Sequence, residues 1–133
     1  LKTLAEVRES LGVRTLTDFH EPRQAMPVAE VVDVLQVPAF LCRQTDMVFE
    51  GAAAAVRYQR ILNLKKGQFL SPEATRPLLE KAEEVGARDR VWLTERGVSF
   101  GYGGLVVDMS GIPVMRSFGV PVIYDATHSV QTP

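Results

Sequence analysis

Asp18, His20, Lys65, Arg96 and His128 each stand at or just past the end of a short apolar run. The runs are Arg14–His20, Val31–Pro38, Ile61–Lys66, Arg90–Gly97 and Val120–His128. A buried strand has no use for such endings, whereas a parallel α/β protein builds a polar site from them at one end of its sheet. Gathered together, these side chains would suit a small, highly charged substrate. Arginine offers a planar fork to carboxylate or phosphate, lysine a compact point charge. Histidine exchanges protons near neutral pH. Each has a plainer alternative. Lys65 and Arg96 would pair with a neighbouring acid, with Glu95 the obvious candidate, and Asp18 and His20 would share a local hydrogen bond that caps the next loop. His128 alone would be an ordinary satisfied histidine.

The elements that must position these residues follow from periodicity. Strand alternation puts Leu16, Asp18 and His20 on one face, as it does Asn63 with Lys65, and Tyr124 and Ala126 with His128. Lys66 then points the other way and reads as structural. Apolar residues at 1, 4, 7 and 11 predict a helix that stops at Gly12. Thr45 to Arg57 reads as a second helix. Ser71-Pro72-Glu73 opens a third, with a cap, a first-turn proline and an early acid, and Gly86 ends it. Pro22 and Pro27 leave room only for a short, irregular helix between the first two strands. Gly101-Tyr102-Gly103-Gly104 reads as a structural turn before a short element around Leu105 to Met109, because it lacks the strand–loop–helix spacing of a phosphate cradle.

The later strands begin about thirty residues apart, the spacing of βα units with right-handed crossovers. An open five-stranded parallel sheet would leave two long edges. A barrel removes both but takes eight strands and about 250 residues. The 133 residues therefore read as one domain, residues 1–133, forming the central portion of a (β/α)8 barrel of the TIM type.

Composition limits the function classes. The chain is 46% hydrophobic and 23% charged, with a formal net charge of −1. That is the make-up of a globular domain and gives no general nucleic-acid or membrane surface. No apolar run approaches the ~20 residues of a membrane span. No signal-peptide pattern follows Leu1. Cys42 is the one cysteine, which rules out an internal disulfide and fits a reducing, cytoplasmic setting.

Five blocks carry a family resemblance. They are Thr17-Asp18-Phe19-His20-Glu21-Pro22, Gln36-Val37-Pro38-Ala39-Phe40-Leu41-Cys42-Arg43-Gln44-Thr45-Asp46 and Asn63-Leu64-Lys65-Lys66-Gly67-Gln68-Phe69. Thr94-Glu95-Arg96-Gly97-Val98-Ser99-Phe100-Gly101-Tyr102 and Tyr124-Asp125-Ala126-Thr127-His128-Ser129-Val130-Gln131 follow. In this order and spacing the chain resembles the 3-deoxy-D-manno-octulosonate 8-phosphate synthases. These join phosphoenolpyruvate to arabinose 5-phosphate in lipopolysaccharide sugar biosynthesis. The resemblance implies barrel strands three to seven. The first two strands, the eighth, a basic loop and two late carboxylates lie outside the match.

The resemblance also implies roles. Lys65 and Arg96 would bind phosphoenolpyruvate. Gln36, Pro38, Ala39 and Phe40 would shape the floor and wall of the pocket, with Gln68 nearby. Asp18 and His20 would meet the sugar's hydroxyls or aldehyde, and His128 would lie beside the reacting carbons. Arg43 would reach a neighbouring subunit's sugar phosphate, which implies a homotetramer with shared sites. In metal-dependent relatives of this kind the histidine matching His128 ligates one divalent ion, and the wording of the blocks leans that way. Cys42 is out of place for the cysteine ligand and reads as a packing residue. Two other functions stand beside this expectation: 3-deoxy-D-arabino-heptulosonate 7-phosphate synthesis from erythrose 4-phosphate, and an inactive fragment or interaction module.

Overall fold

The computed structural model describes residues 1–131. In chain order the elements are α1 (Lys2–Leu11), β1 (Leu16–Asp18), α2 (Ala25–Val31), β2 (Val34–Val37), α3 (Thr45–Tyr58) and β3 (Ile61–Lys65). Then come α4 (Arg76–Glu84), β4 (Val91–Glu95), β5 (Val98–Phe100), β6 (Gly104–Val106), α5 (Gly111–Arg116), β7 (Val122–Tyr124) and α6 (Ala126–Ser129). All five strands expected from the apolar runs are present. α1 stops at Gly12 as the pattern predicts. The proline-limited segment between β1 and β2 is a single 3-10 turn, Pro22–Gln24, running into the seven-residue α2.

The main sheet has the order β1-β2-β3-β4-β7, every pair parallel. Chain order and spatial order agree throughout, with β5 and β6 leaving the sheet as a separate antiparallel hairpin. A doubly wound sheet reverses direction at a switch point, whereas a barrel wall never does. The fold is therefore an arc of barrel wall, as the sequence implies.

The two faces of the arc differ in chemistry. Toward the helices point Phe19, Leu35, Val37, Leu62, Leu64, Val91 and Leu93, all in the main hydrophobic core. They meet Val28, Ala29, Met47, Val48, Ala52, Ala55, Leu78, Leu79 and Ala82 from the helices. Burying each Leu or Val here is worth about 1.5–3 kcal/mol, so this layer holds the arc together. The opposite face carries Leu16 and Asp18, Val34 and Gln36, Asn63 and Lys65, Trp92 and Thr94, none of which joins that core. Leu16, Val34 and Trp92 make its N-terminal side apolar, and Asp18, Gln36, Asn63, Lys65 and Thr94 make it polar further along the strands.

Charges also divide by end. Near the N-terminal end of the sheet, the Asp33 carboxylate accepts the Thr15 backbone N–H at 3.0 Å and pairs with Arg8 at 3.1 Å and Arg60 at 3.6 Å. Partial burial would raise this acid, but the Thr15 N–H and the Arg8 guanidinium outweigh burial and hold it below the usual range. That cluster ties α1, β2 and the end of α3 together, as expected of the stabilising end of a barrel.

The short element expected around Leu105 is β6, which ends at Val106 and pairs with β5 across the Gly101–Gly104 turn. One expectation changes: the last strand ends at Tyr124, so Ala126 and His128 are not strand residues. Asp125 caps one helical turn there by accepting the His128 backbone N–H, a local bond that competes with further extension.

Candidate active site

The polar level of the inner face is one hydrogen-bonded relay across four adjacent strands. Gln36 Nε2 donates to the Asp18 carboxylate, Asn63 Nδ2 donates to Gln36 Oε1 at 2.7 Å, and Thr94 Oγ1 donates to Asn63 Oδ1 at 2.7 Å. Parallel register places Asp18 beside Gln36 and Gln36 beside Asn63. Each amide uses its carbonyl on one side and its NH2 on the other, so both are fixed in orientation. Linked bonds of this kind polarise one another and stiffen the floor they form. Asp18 thus bonds to Gln36. The expected Asp18–His20 bond is replaced by one from the exposed His20's backbone N–H to Gln24 Oε1, at 2.8 Å.

Lys65, buried two residues beyond Asn63, reaches Asp125 Oδ2 at 2.9 Å, and His128 Nδ1 lies 2.7 Å from the same oxygen. Burial alone would raise the Asp125 pKa, but the His128 backbone N–H and the Lys65 ammonium outweigh it and hold the acid down to about 2. Lys65 and His128 therefore meet, through a carboxylate the strand pattern did not single out. The signal was present: an aspartate just after an apolar run, three residues before the group it caps, is an N-terminal capping pattern.

Glu95 is not the partner of Lys65. Its carboxylate takes Lys66 Nζ at 3.3 Å and the Gly97 N–H at 2.7 Å, on the opposite face of the strands. Lys66 also donates to the Leu70 carbonyl at 3.2 Å. Both side chains are almost fully buried, which gives the structural role that alternation predicts for Lys66. This pair sits directly behind the two candidate ligands, Lys65 and Arg96.

Arg96 has no such partner. It is 5% exposed, and its Nε and Nη1 are buried without a hydrogen-bond acceptor among the described residues. It borders a cavity of about 210 Å³ lined also by Gln68, Ser99, Tyr102 and Gln131. The Gly101–Gly104 turn lines it too. Gly97 makes the arrangement possible: its φ of 95°, a region side-chain-bearing residues avoid, turns the chain from β4 into the hairpin. The Ser99 N–H then donates to the Gln68 carbonyl at 3.0 Å and closes the hairpin over the cavity.

The remaining candidates fall around this centre. Pro38 and Ala39 are buried at the C-terminal end of β2, but Phe40 is 65% exposed. The Ala39 carbonyl packs on Gly67, where an added Cβ would lie 3.0 Å from it and 2.6 Å from the Phe69 ring. Arg43 is exposed beside a separate hollow formed with Thr45, Leu78 and Lys81, apart from the Arg96 cavity.

A divalent centre is not assembled here. Among the described residues no three His, Cys, Asp or Glu side chains gather to hold an ion. Cys42 is fully buried in the helix-packed core, and burial pushes its thiol up. Of the ligands the resemblance implies, the described residues include His128, whose Nδ1 faces Asp125. No described helix is long and apolar enough to cross a membrane.

The chain matches known proteins along its whole length. The chain is 54% identical over all 133 residues to a protein of Nitratidesulfovibrio vulgaris named 2-dehydro-3-deoxyphosphooctonate aldolase. It is 56% identical to proteins of the same name from a Cyanothece species and from Geotalea daltonii. In each case the match takes in 47% of the relative, so the chain spans about half the length of these curated proteins. The family described as DAHP synthetase I matches residues 1–133. A match over the whole chain, on an arc whose polar residues line up at the strand ends, places this protein in the DAHP synthetase I family.

Proposed function

We propose that the chain supplies the central part of the active site of a 3-deoxy-D-manno-octulosonate 8-phosphate synthase. The reaction would join C3 of phosphoenolpyruvate to the aldehyde carbon of arabinose 5-phosphate. Water adds at C2 and inorganic phosphate leaves by cleavage of the carbon–oxygen bond. The observation that carries this reading is Arg96, a buried guanidinium with two unpartnered N–H groups beside a cavity. A buried cation without a counter-ion is costly, and an anionic ligand would remove the cost. The names of the relatives supply the substrate class.

The chain's residues take defined parts in this proposal. Arg96 holds the phosphoenolpyruvate anion, with Gln68 at the same cavity. Lys65 adds a second positive charge, and the Asp18–Gln36–Asn63–Thr94 relay offers a fixed polar floor to the sugar hydroxyls. His128 lies next to Lys65 near the reacting carbons, with His20 beyond Asp18. No protein nucleophile is required, since positioning and preorganised charge can carry such a condensation. Arg43, exposed and outside the lining of the Arg96 cavity, suits a contact across a subunit boundary, and the resemblance adds a cytoplasmic homotetramer to the proposal.

The test is a turnover assay on the complete protein with phosphoenolpyruvate and either arabinose 5-phosphate or erythrose 4-phosphate. Phosphate release with the five-carbon sugar is expected. Preference for the four-carbon sugar would move the assignment to heptulosonate synthesis. Consumption of neither would end the proposal.

A further inference from the structure

We propose that Asp125 is a positioning residue that presents His128 to the site in one tautomer, its proton on Nδ1 and its lone pair on Nε2, while anchoring Lys65 alongside. The inference rests on the octulosonate reading only for what these two side chains act upon; the geometry stands without it.

Asp125 is held from every side. Its backbone N–H donates to the Glu95 carbonyl at 2.8 Å, and its own carbonyl accepts the Ser129 hydroxyl at 2.6 Å. Its Oδ1 accepts the His128 backbone N–H at 3.0 Å. Its Oδ2 faces Lys65 Nζ at 2.9 Å and His128 Nδ1 at 2.7 Å. An ionised carboxylate has no proton to give, so Nδ1 must be the donor in that last contact. A neutral imidazole that donates from Nδ1 keeps an unshared pair on Nε2. The His128 side chain is 46% exposed, and among the described residues its Nε2 makes no hydrogen bond. A carboxylate that fixes the far nitrogen of a functional histidine is a recurrent device for setting tautomer and ring direction. Here the same oxygen also fixes a lysine, so one residue sets two others.

The plainer view is that Asp125 serves only as the cap of a short helical turn. Serine separates the two, because it caps about as well as aspartate. In Asp125→Ser the hydroxyl can keep the cap, and no acceptor remains where Oδ2 was. His128 Nδ1 then loses the partner that holds its proton, and the tautomer is no longer set.

The measurement is ring nitrogen NMR of histidine-labelled complete protein at about pH 8.5, above the usual histidine range. Loss of one signal set in His128→Gln assigns the resonances. Wild type should show the Nδ1–H form, and Asp125→Ser a mixture of the two tautomers with a roughly tenfold to hundredfold fall in kcat. Wild-type His128 protonated on Nε2 overturns the inference, and so does an Nδ1–H form that persists undiminished in Asp125→Ser. If that variant fails to fold, the wild-type spectrum alone decides. Correct tautomers in a protein that does not consume phosphoenolpyruvate would count against the proposed reaction and leave this inference standing.

Discussion

Glu95→Gln tests the idea that a buried ion pair backs the candidate ligands. The Lys66 and Glu95 side chains are 1% and 3% exposed and 3.3 Å apart. At an effective dielectric of 20, charges this close attract by about 4–5 kcal/mol before desolvation is counted. Glutamine retains an oxygen for the Gly97 N–H, so the substitution removes charge and little else. It leaves the Lys66 ammonium buried without a counter-charge, with only neutral acceptors, the Leu70 carbonyl and the retained amide oxygen. Removing one partner of a buried pair typically costs 3–5 kcal/mol, and we expect about 3 kcal/mol for Glu95→Gln. Lys66→Met should cost a similar amount, because it leaves the carboxylate with the Gly97 N–H alone. The double variant should cost far less than the sum of the two, because neither charge is then left unpaired. Urea unfolding of the four proteins of this cycle provides the coupling energy. Additive losses, or a Glu95→Gln cost below about 1 kcal/mol, would refute the reasoning.

Arg96 should behave in the opposite sense. Arg96→Met removes a buried, unpartnered cation, so the unfolding midpoint should rise, by about 1 kcal/mol equivalent, while phosphoenolpyruvate binding measured by calorimetry disappears. A destabilised variant would mean that Arg96 already has a partner. Gly67→Ala pushes a methyl group toward the Phe69 ring and the Ala39 carbonyl. It should cost about 1–3 kcal/mol and raise KM, and a neutral result would show that Phe69 swings clear. Asp33 governs acid stability. Its folded pKa lies below its unfolded value, so its contribution is present above about pH 4 and is lost as pH falls through the folded value. Asp33→Asn should cost about 2 kcal/mol at pH 7 and flatten the fall in stability below pH 4; an unchanged acid limb would place the linkage elsewhere.

The strands and their polar endings were legible because each obeys a local rule. A run such as Ile61–Lys65 is apolar toward the helices and changes character on the other face, and alternation alone assigns Asn63 and Lys65 to one side and Lys66 to the other. The same rule failed at the last strand, where Tyr124, Ala126 and His128 were expected on one face. There the cap formed by Asp125 wins over extension, and register puts Tyr124 opposite Glu95 on the outward side. The acid that charges the site thus sat one residue from where strand parity directed attention. Partner choice was equally hidden. Glu95 lies next to Arg96 in the sequence, yet adjacent strand residues face opposite ways, so it was Lys66, the outward neighbour of Lys65, that shared its side.

That alternation explains why charges come here in adjacent pairs. Lys65-Lys66 and Glu95-Arg96 each send one member inward and one outward. The outward members neutralise each other beneath Leu70 and Gly97, and the inward ones are left to different fates. Lys65 finds Asp125 within the chain, whereas Arg96 finds no acceptor among the described residues. Of the two inward cations, the arginine is therefore the one whose burial an incoming anion would relieve, and the lysine the one whose charge is already partly met. An anion entering this site should owe its affinity chiefly to Arg96. Arg96→Lys, which keeps the charge but loses the planar fork, should weaken that affinity more than Lys65→Arg does.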